Sequence, residues 1–137
     1  MWPVEKIPIK SRLFYRIHET WIDEGEVNPG VFQQRGEKTK KGMSTDWEKY
    51  SSPQQSRLRC KNPRKNGVIN FITKDLRGLQ LEVIHSPFII NEPIKEKPWI
   101  KSNRAHTNVK GDVENVKIRL QLLDLFKWDI QPSKPLN

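Results

Sequence analysis

The sequence predicts an α+β fold: a mainly antiparallel sheet of about four or five strands with one long C-terminal amphipathic helix covering a face. Three observations carry that expectation. Short runs rich in aromatic and branched residues recur between turn signals, the pattern of strands in a sheet. Ten prolines punctuate the chain, and each removes a backbone donor where a helix or central strand would have to end. Near the end, "DVENVKIRLQLLDLFKWDI" holds apolar residues at three- and four-residue spacing, the period of one helix face.

Residues 1–10, with Pro3 and Pro8, read as an extended N-terminal arm whose Trp2, Val4, Ile7 and Ile9 can pack on the domain or on a partner. Residues 11–130 form a single α+β domain and 131–137 a C-terminal tail. "RLFYRI", Arg12 to Ile17, is the first strand, with Leu13, Tyr15 and Ile17 on one face and Phe14 and Arg16 on the other. Trp21 and Ile22 precede an acidic turn, "DEGE". "NPGVFQQRG" is a Pro-Gly turn running into a short extended stretch through Val31 and Phe32, and "EKTKKG" is a charged loop. "MSTDWEKYSS" reads two ways: a short helix capped by Ser44 or Thr45, or a strand from Met43 to Trp47. The capping role is the favoured one for Ser44, Thr45 and Asp46.

In "SPQQSRLRC", Ser52 stands as a helix N-cap with Pro53 at the first helical position, and Asn62-Pro63 stops the helix. "NGVINFIT", Asn66 to Thr73, is a strand, "KDLRGL" one helical turn, and "LEVIH", Leu81 to His85, a further strand. Proximity in sequence favours those two strands as antiparallel neighbours, although the helical turn between them leaves room for another arrangement. Ser86 to Asn103, with Pro87, Pro93 and Pro98, is a loop long enough to imply mobility or function. "AHTNV" then makes a short strand. In the final helix Val113, Val116, Leu120, Leu123 and Phe126 face inward, Asp112 caps the start and Lys127 sits near the negative end.

Hydrophobic residues make up 34% of 137, a low share that 5 Trp and 5 Phe offset, so a small core with much loop is expected. The net charge of +9 is uneven: residues 35–65 carry ten basic and three acidic groups, which places +7 in one block of 31 residues. Such a concentration suits a polyanion held by phosphate contacts, or a solvated face. The start of the chain has no apolar run of signal-peptide length, and nowhere do about 18 apolar residues follow one another. A cytoplasmic protein without a membrane segment is therefore expected. The single Cys60, between Arg59 and Lys61, is expected to be a reduced thiol with at most a somewhat lowered pKa.

Four stretches can carry chemistry. The strand in "NRAHTNVKG" puts Arg104, His106, Asn108 and Lys110 on one face, a set that core packing does not require. His106 can donate or accept a proton, with nearby cations favouring its neutral form, while Arg104 and Lys110 can hold a phosphate or carboxylate. Against this stands an exposed edge strand whose charges resist aggregation. Arg16 and His18 alternate onto one face of the first strand and gain force if it lies beside the strand of His106. Ser44, Thr45 and Asp46 can meet ribose or phosphate. Arg57, Arg59, Lys61, Arg64 and Lys65 form a phosphate-tracking surface without a base-reading code, or a solvated loop. His18, His85 and His106 lack metal-ligand spacing, so no metal and no cofactor is expected, and His85 reads as structural. The chain has no GxGxxG, GxxxxGK[ST] or GxSxG.

The combination of "LFYRI", Trp21, the "GVF" step, "MSTDW" and "AHTNVKG" before a helix resembles a pattern of small bacterial proteins of unknown function, which implies a bacterial cytoplasmic protein and no particular reaction. The chain is also similar to ADP-ribosyltransferase-like folds, where an early strand carries an Arg or His and a later one a hydroxyl residue. The late catalytic glutamate usual in many such enzymes has no match, because Glu114 falls inside the expected helix.

The leading expectation is a basic domain that binds RNA or single strands, with Arg57, Arg59, Lys61, Arg64, Lys65 and Arg104 on phosphates. The rival is a nuclease or nucleotide-using transferase with His106 as general acid or base, His18 its partner, and Arg16 or Lys110 the anion clamp. A third reading is a protein-interaction subunit or homo-oligomer docking through the N-terminal arm.

Overall fold

A computed structural model describes residues 1–36 and 42–132, so most of the "EKTKKG" loop and of the C-terminal tail lies outside the described residues. After the arm comes β1 (Arg12–His18), in which Leu13, Tyr15 and Ile17 turn to the core and Phe14, Arg16 and His18 to the other face. β2 (Ile22–Asp23) and β3 (Glu26–Val27) form a tight hairpin, and its turn residues Glu24 (φ 50) and Gly25 (φ 82) are both left-handed, the backbone that matches strand twist. β4 (Met43–Trp47) precedes α1 (Pro53–Leu58), which opens on a capping box between Ser52 and Gln55. β5 (Asn66–Ile72), α2 (Thr73–Gly78) and β6 (Glu82–His85) follow, then β7 (His106–Lys110), α3 (Val116–Leu125) and β8 (Lys127–Ile130).

Six strands make one antiparallel sheet in the order β6-β7-β4-β1-β5-β8, with the small hairpin apart from it. β1 pairs along its whole length with β5, from Arg12↔Ile72 to His18↔Asn66. Its pairing with β4 stops after Leu13↔Trp47 and Phe14↔Asp46. Beyond Phe14 the two strands part, which opens a fork in the middle of the sheet. One face of the sheet is closed by Phe32, Leu76, Val113 and Leu122 over Leu13, Ile17, Met43, Ile69, Phe71 and Val109, and Ile7 pins the arm to it at 1% exposure. Each of these fully buried side chains contributes roughly 1.5–3 kcal/mol.

The expected long C-terminal helix is corrected. α3 is ten residues long, and Lys127–Ile130 is not its continuation but the edge strand β8, paired with β5. Asn115, not Asp112, caps α3 by accepting from the N–H groups of Lys117 and Ile118, so Glu114 lies outside the helix. The buried residue of α3 is Leu122, while Val116 and Leu120 are exposed. The cause is aromatic packing: Phe126 sits 6.5 Å from Phe71 and 5.7 Å from Trp128, a contact chain that an extended segment reaches and a continued helix would not.

The strand count also changes, to six plus the hairpin. "MSTDW" is strand rather than cap, because Met43, Thr45 and Trp47 alternate into the interior, where the Thr45 hydroxyl donates to the Thr107 carbonyl at 2.9 Å. β6 does not pair with β5; it pairs with β7 at the opposite end of the sheet. Among the described residues the three α-helices are all short, and none is long and apolar enough to cross a membrane.

Candidate functional site

Alternation decides which side chains meet. Asp46 stands opposite His106 and Ser44 opposite Asn108 across the β4–β7 ladder, and Phe14 opposite Asp46 across β1–β4. The face turned from the core therefore carries Arg16 and His18, then Ser44 and Asp46, then His106, Asn108 and Lys110, in three adjoining rows.

Asp46 is the anchor. It is 2% exposed, and its Oδ2 receives Arg16 Nη1 at 3.3 Å and Arg59 Nη1 at 3.0 Å, while Oδ1 accepts from Asn103 Nδ2 at 2.7 Å. Burial pushes its carboxyl up, but the two guanidiniums and the Asn103 amide outweigh burial and hold it below the usual carboxylate range. Arg16 Nη1 also donates to the Ser56 carbonyl at 3.0 Å, and Arg59 Nη1 to Ser51 Oγ at 2.8 Å. Both arginines are thus held through Nη1 on the Asp46 carboxylate.

Next to them Ser44 and His106 form a hydrogen-bonded pair. His106 Nδ1 lies 2.9 Å from the Ser86 carbonyl, which can only accept, so Nδ1 carries the proton. Nε2 of the neutral ring then accepts from the Ser44 hydroxyl at 3.0 Å. Burial, partly opposed by the Ser86 carbonyl, lowers the His106 pKa, and Phe88 packs edge-on at 5.2 Å. A neutral imidazole with its lone pair on a serine hydroxyl is the arrangement a general base requires. His18 Nδ1 accepts from the Thr20 N–H at 3.2 Å, which leaves the neutral ring's proton on Nε2.

Arg16, His18, Ser44 and Arg59 line a cavity of about 650 Å³ in the β1–β4 fork, a size suited to a small molecule, while Asp46 and His106 stand behind them as their hydrogen-bond partners. Arg16, His18, Ser44, Arg59, Tyr15 and Trp21 form part of its wall. The proline-rich loop supplies Lys97, Trp99 and Ile100, and Arg35 and Lys61 add further charge. Among the described residues, five cationic side chains and no carboxylate line it. Lys61 Nζ stands 5.9 Å from the Trp99 ring centre, across from the segment that carries it.

The residues proposed from sequence are thus divided. Arg16, His18, Arg59 and Lys61 reach the cavity, and His106 touches it through Ser44. β1 is not beside β7, since β4 stands between them, yet the shared face brings their side chains together. Lys110 is outside the cavity lining and pairs in register with Glu82. Arg104 is not on the strand: it stacks on Tyr50 at 4.2 Å and reaches Glu5 Oε2 at 3.9 Å. Arg57 is 3% exposed and donates to the carbonyls of Pro63 and Asn66. Arg64 and Lys65 project into solvent. Cys60 lines the cavity, and burial raises its thiol pKa rather than the flanking cations lowering it. His85 is buried, accepting from the Glu5 N–H at 2.9 Å and facing the Arg104 carbonyl at 2.6 Å.

Sequence reasoning missed Asp46 as an anchor and missed Arg35, Trp21, Lys97, Trp99 and Asn103 altogether. Alternation in "MSTDW" was the available signal for Asp46; the loop residues had none. Among the described residues no group of three or more His, Cys, Asp or Glu side chains could hold a metal ion. Comparison with protein-family models, curated proteins and solved structures finds no match to this chain.

Proposed function

We propose that the protein is a nucleotide-using transferase whose reaction takes place in the β1–β4 fork. The observation that carries this reading is the cavity itself: among the described residues, five cationic groups and no carboxylate, with aromatic faces at Trp21 and Trp99 and the hydroxyl of Ser44 bonded to a neutral His106. Arg16 and Arg59, oriented by Asp46, clamp the phosphates with charge-assisted hydrogen bonds. The Trp21 indole takes the nucleotide's base by stacking. His106 Nε2 accepts a proton, through Ser44 or in its place, from the attacking hydroxyl, and the Ser86 carbonyl steadies the imidazolium that forms. The His18 Nε2–H faces charge that develops on the leaving side. Arg16 and His18 lie on β1 and Ser44 on β4, the strand next to it, so the anion clamp and the hydroxyl bonded to His106 reach the same cavity.

The test is a thermal-shift screen of ADP, ADP-ribose and NAD⁺ with the wild type and His106→Ala, followed by mass spectrometry of incubated mixtures. The reading expects a stabilising nucleotide that both proteins bind and that the wild type alone converts. A protein that binds none of them, or a His106→Ala variant that turns over at the wild-type rate, contradicts it.

A further inference from the structure

The cations of this wall do not end at the cavity. Residues 59–62 and Asn66 line the fork, and between them the 3-10 turn Pro63–Lys65 carries Arg64 and Lys65 outward. Arg64, Lys65 and Lys61 are exposed, so charge continues from Arg16 and Arg59 inside, through Lys61 at the mouth, to Arg64 and Lys65 outside. Across the mouth stands Trp99, half-buried, with exposed Lys97 beside it. Glu92 and Glu96 are exposed on that same loop, which leaves residues 61–65 as the uniformly cationic wall.

We propose that the second substrate is a single-stranded nucleic acid whose end enters the fork while its backbone runs over Lys61, Arg64 and Lys65. This rests on the nucleotide-transferase reading and names the acceptor for it. Two features select a nucleic acid over an acidic peptide. One ring stands beside the track, Trp99 at 5.9 Å from Lys61 Nζ, and a base stacks on such a ring where a carboxylate side chain does not. The cations are spread along an irregular segment without a base-reading pattern, which suits backbone phosphates. Duplex is disfavoured because a cavity of about 650 Å³ admits a strand end and not a paired helix. The terminal hydroxyl or phosphate of the strand then meets Ser44 and His106: a hydroxyl gives its proton to His106 Nε2, the strand's oxygen bonds to the group carried by the nucleotide, and the bond from that group to the rest of the nucleotide breaks, the remainder leaving with the bonding electron pair.

The experiment measures fluorescence anisotropy of a short 3′-labelled single-stranded RNA with a 5′-phosphate, over a salt series, on the full chain. Arg64→Ala/Lys65→Ala is the variant, since both side chains are exposed and the fold does not depend on them. ADP binding by calorimetry is the parallel arm. The expected result is RNA affinity reduced at least tenfold in the double variant, a log–log salt slope shallower by about 1.4, and ADP affinity within twofold of wild type. Trp99→Ala is expected to weaken RNA about fivefold or more. Unchanged RNA affinity and slope in the double variant, or polyglutamate displacing the RNA at equal charge concentration, overturns the acceptor while ADP still binds. Absence of ADP binding to the wild type removes the cavity reading and the acceptor with it.

Discussion

Ser44 and His106 are joined by one hydrogen bond, and its direction is fixed by a carbonyl on the far side of the ring. His106→Ala is therefore expected to lower turnover by about 10²–10⁴ while nucleotide affinity changes little, read as a fall in kcat at constant Kd. Because burial depresses the His106 pKa below its ordinary 6.5, the base stays neutral at pH 7, and the acid limb of the pH–rate profile is expected below pH 6.5. Linkage gives the matching sign for stability. A folded-state pKa lower than the unfolded one means that stability is lost as pH falls below 6.5. Asp46 adds a second loss, beginning near its ordinary 3.8 and completed as pH falls through its depressed folded value. Asp46→Asn leaves two guanidiniums around a buried neutral amide, and denaturant melts are expected to show about 3 kcal/mol of lost stability at neutral pH. Arg16→Ala is expected to weaken ADP roughly 10- to 100-fold by calorimetry, and Lys110→Ala to leave it unchanged. His106, Arg16 and His18 were legible in the sequence because alternation set polar groups on one strand face. Asp46 was not, since a lone Asp among hydroxyls reads equally as a cap until its neighbours are known to be buried.

At the scale of elements, the helix start at Ser52, the strand at Arg12 and the strand at Asn66 were legible, because local signals were strong: an N-cap serine followed by proline, and runs of aromatic and branched residues. The C-terminal region was not. A ten-residue helix followed by a four-residue strand leaves apolar residues at spacings that also fit one longer helix, and Phe71 across the sheet decides between them. β8 closes against β5 where Gly67 has no side chain: a Cβ there would lie 2.6 Å from the Ile130 carbonyl oxygen and 2.8 Å from Trp128. Gly67→Ala is thus expected to cost about 2–3 kcal/mol in denaturant melts and to expose Trp128, read as a red shift of tryptophan emission. Neither β7's position beside β4 nor β6's distance from β5 could be read locally. Both are set by which edges remain unpaired once β1 takes β5.

At the scale of the molecule, the cations behind the net charge of +9 are divided between bracing the fold and lining the cavity. Arg57 braces backbone carbonyls and Arg104 ties the arm through Glu5 and Tyr50, while Arg16, Arg35, Arg59, Lys61 and Lys97 converge on one cavity. The sequence showed the charge block but not this division, which depends on where β1 and β4 separate. The central claim is that imidazoles from two strands answer to one anion held in that fork. The most direct measurement is a titration with ADP followed in long-range ¹H–¹⁵N spectra of the three histidine rings. His18 and His106 are expected to shift along one saturating curve with the same Kd, His85 to stay fixed as an internal reference, and Arg16→Ala to abolish both shifts. Shifts confined to a single ring, different apparent affinities for the two, or a response that survives Arg16→Ala would contradict the account.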